Sequence, residues 1–188
     1  MDRKLEIIQC ARELIEERGL AKTSVAAITE RMNVARTLFY HYFPSKEDLV
    51  AAVLDTYVDE FIASLKEWNA QRVEGDIEGA LDTIVALIRD QLFDNDNAPK
   101  PFRRALATHE NASLYLRFIN RVADASATYI VETTVADFGR LHEVRIDHIY
   151  ETFYMLILCI VGYMRPHPEG RDDVRKDQLA QTLPFSSQ

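Results

Sequence analysis

The sequence predicts an all-α protein, with an N-terminal three-helix unit that contains a helix-turn-helix and a long helix leading into a larger helical body. Three observations predict it. Apolar residues recur at three- and four-residue steps along most of the 188 positions, capping and breaking residues stand at the ends of the periodic segments, and no segment sustains the apolar-polar alternation of a half-buried strand.

The first helix is marked by Leu5, Ile8, Ala11, Leu14 and Ile15, with Asp2 as its cap and Gly19 as its end. Ser24 offers an N-cap to a second segment through Met32, only about two turns long. Asn33 follows, one of the few non-glycine residues that tolerate the left-handed conformation closing a helix. Val34 to Phe43 is a short aromatic-rich helix stopped by Pro44, which disfavours helical geometry in the residue before it. Ser45 and Asp48 then form a Ser-x-x-Asp capping box for a fourth helix running to about Arg72, with Leu49, Val53, Tyr57, Phe61 and Leu65 on one stripe. This places a domain boundary at residue 48, dividing 1–48 from 49–188.

Beyond Gly75 the helical pattern resumes from Ile77 to Phe93, and residues 94–99 form a polar loop. Shorter helical material spans Pro101 to Thr108. Two long helices follow, from about Ala112 to Phe138 and from about Val144 to Met164, before Pro166, Pro168 and Gly170 punctuate the chain.

Composition narrows the function classes. The longest apolar run, Phe153 to Met164, holds 12 residues, whereas a membrane-spanning helix needs about 20. After Arg3 and Lys4 every apolar stretch is interrupted by Glu6, Gln9, Arg12 or Glu13, so no signal-peptide pattern is present and a cytoplasmic location is expected. Cys10 and Cys159 lack the spacing of a metal or redox pair, in keeping with a reduced compartment. The histidines at 41, 109, 142, 148 and 167 never stand at i, i+4, and no glycine-rich phosphate loop or nucleophile elbow occurs. His109-Glu110 reads as a surface pair or a polar ligand contact rather than a catalytic one. No enzyme activity, metal or cofactor is therefore expected.

A net charge of -8 argues against a nucleic-acid partner until its distribution is considered. Residues 1–46 carry eight Lys/Arg against six Asp/Glu, a net of +2, which leaves -10 for the rest. A mildly basic N-terminal unit on an acidic body suits a protein that touches DNA at one end only.

In a helix-turn-helix the second helix enters the major groove, about 12 Å wide, while flanking groups grip the backbone. Arg36, Thr37, Tyr40 and His41 can present donors outward, with Val34, Leu38 and Phe39 or Phe43 facing the core. Pattern alone leaves open an ordinary amphipathic helix of a helical protein. From Ile7 to Leu54, however, the chain resembles the DNA-binding domain of the tetracycline-repressor (TetR) family. The resemblance rests on Gly19, on Thr23-Ser24-Val25 with Ile28, and on Val34 followed by the string from Phe39-Tyr40-His41-Tyr42-Phe43-Pro44 to Ser45-Lys46-Glu47-Asp48-Leu49. The spacing Phe43, Lys46, Leu49 is the specific part.

The resemblance implies that Thr23 and Ser24 hold backbone phosphate at the start of the second helix. It places Arg36, Thr37, Tyr40 and His41 along the recognition helix, and Lys46 against phosphate at the N-terminus of the fourth. Two departures bear on operator affinity. The common Ala-Gly-Val-Ser turn is here Met32-Asn33-Val34-Ala35, without the serine cap that contributes about 1 kcal/mol. Thr37 and Leu38 stand where many relatives carry a small residue and then Thr, and Leu38 cannot hydrogen-bond a phosphate. A TetR-fold partner or coactivator that has lost specific DNA binding stays open as the alternative.

For the body, the resemblance implies a homodimer built on the last two long helices and a small-molecule pocket within the preceding ones. Ile149, Phe153, Leu156, Ile157 and Ile160, with Val161, leave the final helix apolar on nearly all sides, which a second subunit or the centre of a monomeric bundle would cover. Tyr129 joins them as a dimer residue. Phe61, Trp68, Leu87, Phe93, Phe102, Leu106, His109, Tyr115, Phe118, Tyr129, Tyr150 and Tyr154 are the candidate pocket lining. Core and cavity lining look alike in one sequence, and both readings stand. The expected function is a DNA-binding transcriptional regulator, a repressor in the family's usual mode, released from its operator by a small-molecule effector.

Overall fold

A computed structural model describes residues 2–71, 86–87, 111–140 and 145–164, and all regular structure among them is helical. The elements are α1 (Arg3–Arg18), α2 (Val25–Arg31), α3 (Arg36–Tyr42), α4 (Lys46–Gln71), α5 (Ala112–Ile130) and α6 (Ile149–Met164). The described residues fall into two compact units. The first holds 2–60 and 111–118, and the second holds 61–71, 86–87, 119–140 and 145–164.

The first unit is assembled as its capping residues dictate. The Asp2 carboxylate accepts the Lys4 amide at 2.9 Å and so satisfies one of the orphan donors at the start of α1. Gly19 ends α1 with φ 84° and ψ 161°, a conformation open essentially to glycine alone. The Ser24 hydroxyl accepts the Ala27 amide at 3.2 Å as the N-cap of α2. After α2, Asn33 takes φ 52°, its amide bonds to Glu30 O at 3.0 Å and the Val34 amide bonds to Thr29 O at 2.9 Å. Those two reversed bonds are a Schellman closure, with asparagine where glycine is usual. Ala35 caps α3 without any side-chain bond, as its chemistry requires.

α2 packs on α1 and on α3. The core so formed contains Ile7, Ile8, Ala11, Leu14 and Ile15 from α1, Ile28 from α2, Phe39 and Phe43 around α3, and Leu49, Val50, Val53 and Leu54 from α4. Each large apolar side chain buried here contributes about 1.5–3 kcal/mol. These residues make the first six positions of α4 past residue 48 part of the N-terminal core, and the first compact unit runs to Glu60.

Ser45 and Asp48 start α4 with a variant of the expected box. Ser45 Oγ accepts the Asp48 amide at 3.1 Å, and the hydroxyl donates to Asp48 Oδ2 at 2.6 Å, so the two side chains bond to each other. In the second unit α5 buries Ile119, Val122, Ala123, Ser126, Ala127 and Ile130, one continuous stripe. Its α-helical ladder gives way to a π-helical turn at Val131–Val135 before one last α-helical turn at Ala136–Phe138. Thr133 Oγ1 donates to the Tyr129 carbonyl at 2.6 Å, competing with the backbone where the sequence is crowded with β-branched residues.

The final helix begins later than its periodicity predicts. α6 starts at Ile149, because His148 takes φ 54°, a left-handed conformation that no right-handed helix accommodates. The helices expected at Ile77 to Phe93 and Pro101 to Thr108 lie outside the described residues, apart from helical positions 86 and 87.

Candidate nucleic-acid interface

The seven residues of α3 divide into two faces. At about 100° per residue, Arg36, Tyr40, Thr37 and His41 fall within an arc of about 140°. All four are exposed, Tyr40 at 55%. Phe39 and Phe43 lie on the other side, 1% and 3% exposed, with ring centroids 5.9 Å apart. Leu38 and Val34 are half-buried at the margin rather than in the core. The outward face therefore carries a guanidinium, two hydroxyls and an imidazole, groups able to reach base edges and phosphates.

Two lysines fasten the elements around this helix. Lys46 Nζ donates to the Leu20 carbonyl at 3.0 Å, bridging the start of α4 to the turn after α1. Lys4 Nζ lies 5.6 Å from the centroid of the Phe43 ring and ties the start of α1 to the end of α3. Lys4 was not among the expected interface residues, since a cation-π partner 39 positions away leaves no mark in a sequence. Its ammonium stays exposed beside the recognition face.

The structure separates the two residues expected at the start of α2. Ser24 is exposed, and its Oγ, though accepting the Ala27 amide, keeps an O–H to donate. Thr23 is 1% exposed, and its hydroxyl donates to the Gly19 carbonyl at 3.0 Å. A hydroxyl so buried and so committed holds the turn together. A second fastening joins α1 to α2: the Arg31 guanidinium donates both ends of its fork to Glu17 at 2.6 Å each. This pairing holds the Glu17 carboxyl below its usual range and Arg31 above its own.

Residues 7–53 match the family model described as bacterial regulatory proteins, tetR family. The N-terminal part of the chain is similar to the DNA-binding domain of TetR-family regulators. Among curated relatives, the HTH-type transcriptional regulator EthR of Mycobacterium tuberculosis is 29% identical over 121 residues, covering 64% of this chain and 56% of EthR. The chain thus spans little more than half of that relative's length. The HTH-type transcriptional regulator BetI of Escherichia coli is 22% identical over 160 residues, covering 85% of this chain and 79% of BetI. Among solved structures, the multidrug binding protein EbrR, complexed with imidazole, superposes with TM-score 0.63 at 18% identity and covers 100% of this chain and 98% of its own. A tetR-family transcriptional regulator from Streptomyces coelicolor gives TM-score 0.59 at 17% identity, covering 96% and 78%. These likenesses establish the TetR fold, with its N-terminal helix-turn-helix and helical remainder.

The remaining expected residues of the helical body distribute as follows. Tyr115 and Phe118 belong to the first unit, and Phe61, Leu87, Tyr129, Tyr150 and Tyr154 to the second. Phe61 and Phe118 are buried, at 3% and 4% exposure, while the others are half-buried. Phe93, Phe102, Leu106 and His109 lie outside the described residues. Within the second unit the Tyr129 hydroxyl accepts from Asn69 Nδ2 at 3.1 Å, and Thr134 Oγ1 donates to Asn69 Oδ1 at 2.9 Å. Asn69 and Thr134 were not expected, because their pairing spans 65 positions and depends on the π-helical turn. Tyr150 donates to Asp124 Oδ1, which together with burial pushes its phenol up to about 12, and its ring stacks on Tyr154 with centroids 6.1 Å apart.

On α6, Ile157, Ile160 and Val161 are already buried within the chain, at 4%, 7% and 2% exposure. Ile157 and Ile160, expected at a dimer contact, are thus already covered within one chain. The outward stripe holds Met155, 63% exposed, with Cys159 and Gly162 at i+4 and i+7. Ile149, Phe153 and Leu156 are half-buried between the two faces. No helix among the described residues is long and apolar enough to cross a membrane.

Proposed function

We propose that this protein is a cytoplasmic DNA-binding transcriptional regulator that acts as a homodimer and is released from its operator by a small-molecule effector. The observation that carries the reading is the outward face of α3, where Arg36, Thr37, Tyr40 and His41 stand clear of a core closed by Phe39 and Phe43. Ser24, Lys46 and Lys4 would hold phosphate on either side of the groove. Thr37 stays in the set as a hydroxyl donor, and Leu38 contributes only apolar contact.

A second copy of the chain is the natural cover for Met155, Cys159 and Gly162, an apolar stripe on a helix whose other face is already buried. Two copies would bring two recognition helices to half-sites about 34–36 Å apart. An effector bound in the body would shift the population away from the DNA-competent spacing by its differential affinity for the two states. The relative EbrR is named for multidrug binding, and another neighbour, RolR, was solved with resorcinol. A mixed apolar and hydroxyl lining that includes Tyr129 suits small molecules of that aromatic kind. Reaction chemistry has no part in this reading.

The test is selection of bound duplexes from a random-sequence pool by the full chain, followed by anisotropy titration over a salt series. A steep negative slope of log K against log salt, with sequence preference lost in Arg36→Ala at a cost of about 1–3 kcal/mol, is the expected result. A flat, weak response from the intact protein would favour the partner or coactivator reading.

A further inference from the structure

Four side chains lock α1 to α4 by polar contacts beside the hydrophobic core. The Arg12 guanidinium lies 4.2 Å from the centroid of the Tyr57 ring. Its two terminal nitrogens reach the two oxygens of Glu60, with Nη2 to Oε2 at 3.0 Å, and its Nε donates to Glu16 Oε1 at 3.3 Å. The Tyr57 hydroxyl closes the ring by donating to the same Glu16 oxygen. Arg12 and Glu16 are one turn apart on α1, and Tyr57 and Glu60 one turn apart on α4, so the cluster joins the helices through two pairs. Burial first, and then the bond to Glu16, hold the Tyr57 phenol protonated far above its ordinary range.

Apolar packing favours closeness of two helices but has no direction, and it permits rotation and sliding. A guanidinium held by its fork on one side, by its Nε on another and by an aromatic face permits neither, because planar bidentate bonds fix orientation. Its contribution to stability is modest, since the Glu16 and Glu60 side chains are 40% and 54% exposed. Position is the second point. Glu60 is the last α4 residue of the first unit, and Phe61, next along the same helix, belongs to the second.

We infer that Arg12, Glu16, Tyr57 and Glu60 form a positioning clamp that fixes the register of α1 on α4. Through α1, α2 and the Lys4 contact to Phe43, the clamp fixes the orientation of α3, and so the half-site separation that the dimer accepts. The inference rests on the DNA-binding reading above. Arg12 touches no DNA in this scheme and acts through the helices it joins.

The experiment uses the full chain, a duplex selected from a random pool, and versions of that duplex with one base pair inserted or removed between the half-sites, plus a duplex with one half-site alone. Wild type should prefer one separation by roughly tenfold. Arg12→Lys, which keeps the charge but not the fork, and the milder Tyr57→Phe should flatten that preference while leaving affinity for the single half-site within about twofold. An unchanged spacing preference in both variants overturns the inference. So does a loss spread equally over all duplexes together with a lower melting temperature, which marks a merely structural role. Those two results leave the DNA-binding reading intact, whereas failure of the wild type to select any duplex removes that reading and the inference with it.

Discussion

Replacing Gly19 by alanine isolates the backbone cost of the turn that launches the helix-turn-helix. A Cβ built on Gly19 meets nothing within 4 Å, so no clash contributes. What remains is conformation: φ 84° with ψ 161° lies in a region essentially reserved for glycine, and holding another residue there costs about 1–3 kcal/mol. Alanine also narrows the unfolded ensemble, an effect of about 0.4–1 kcal/mol that favours folding only where the native angles are compatible. The net expectation is a loss of about 1–2 kcal/mol, or roughly 2–8 °C in melting temperature for a chain of this size. Any relaxation of the alanine also disturbs the Gly19 carbonyl that the buried Thr23 hydroxyl needs, adding to the loss. Thermal denaturation followed by circular dichroism measures this, with Thr23→Val as the companion variant. Thr23→Val should lower the melting temperature while leaving DNA affinity within about twofold, since its hydroxyl serves the turn. Unchanged stability in Gly19→Ala, or a Thr23→Val variant that loses DNA affinity and keeps its melting temperature, would refute the reasoning.

Other outcomes follow from single residues. Ala35→Ser supplies the missing cap of α3 and should raise stability by about 0.5–2 kcal/mol, read as an upward shift of the denaturation midpoint. Met155→Glu places a charge on the outward stripe of α6 and should convert a dimer to a monomer in sedimentation velocity, while Ile157→Ala, inside the chain, should chiefly lower stability, by about 2–5 kcal/mol. The Glu17 carboxyl is depressed in the folded protein by its bonds from Arg31, so its contribution is present above the ordinary value of 4.5 and is lost as pH falls through the folded value. Glu17→Gln should accordingly flatten the acid limb of a stability-against-pH curve, and an unchanged limb would show that the pair does not hold in solution.

What the chain reveals without coordinates is local in origin. Asp2, Ser24, Asn33, Pro44 and Ser45 act on backbone groups within a few positions, and so α1 to α4 are bounded within two or three residues of where pattern places them. Binary patterning likewise separates Arg36, Thr37, Tyr40 and His41 from Phe39 and Phe43, because a helical repeat is a one-dimensional signal. The same logic fails wherever burial or bonding is decided by distant chain. Thr23 sits beside Ser24 with equivalent chemistry, yet the fold buries one and exposes the other. Ile157 and Ile160 are as apolar as Met155, and only the packing of the second unit says which face is left outward. The π-helical turn, the late start of α6 at His148, and the clamp of Arg12 with Tyr57 and Glu60 all depend on groups tens of positions apart or on backbone angles that periodicity does not encode. Sequence alone determined the elements from α1 to α4 and the TetR-type motif they carry, since these rest on short-range sterics and spacing. Tertiary structure decided which polar groups are committed inside and which are offered to a partner, since that depends on which surfaces three-dimensional packing removes from water.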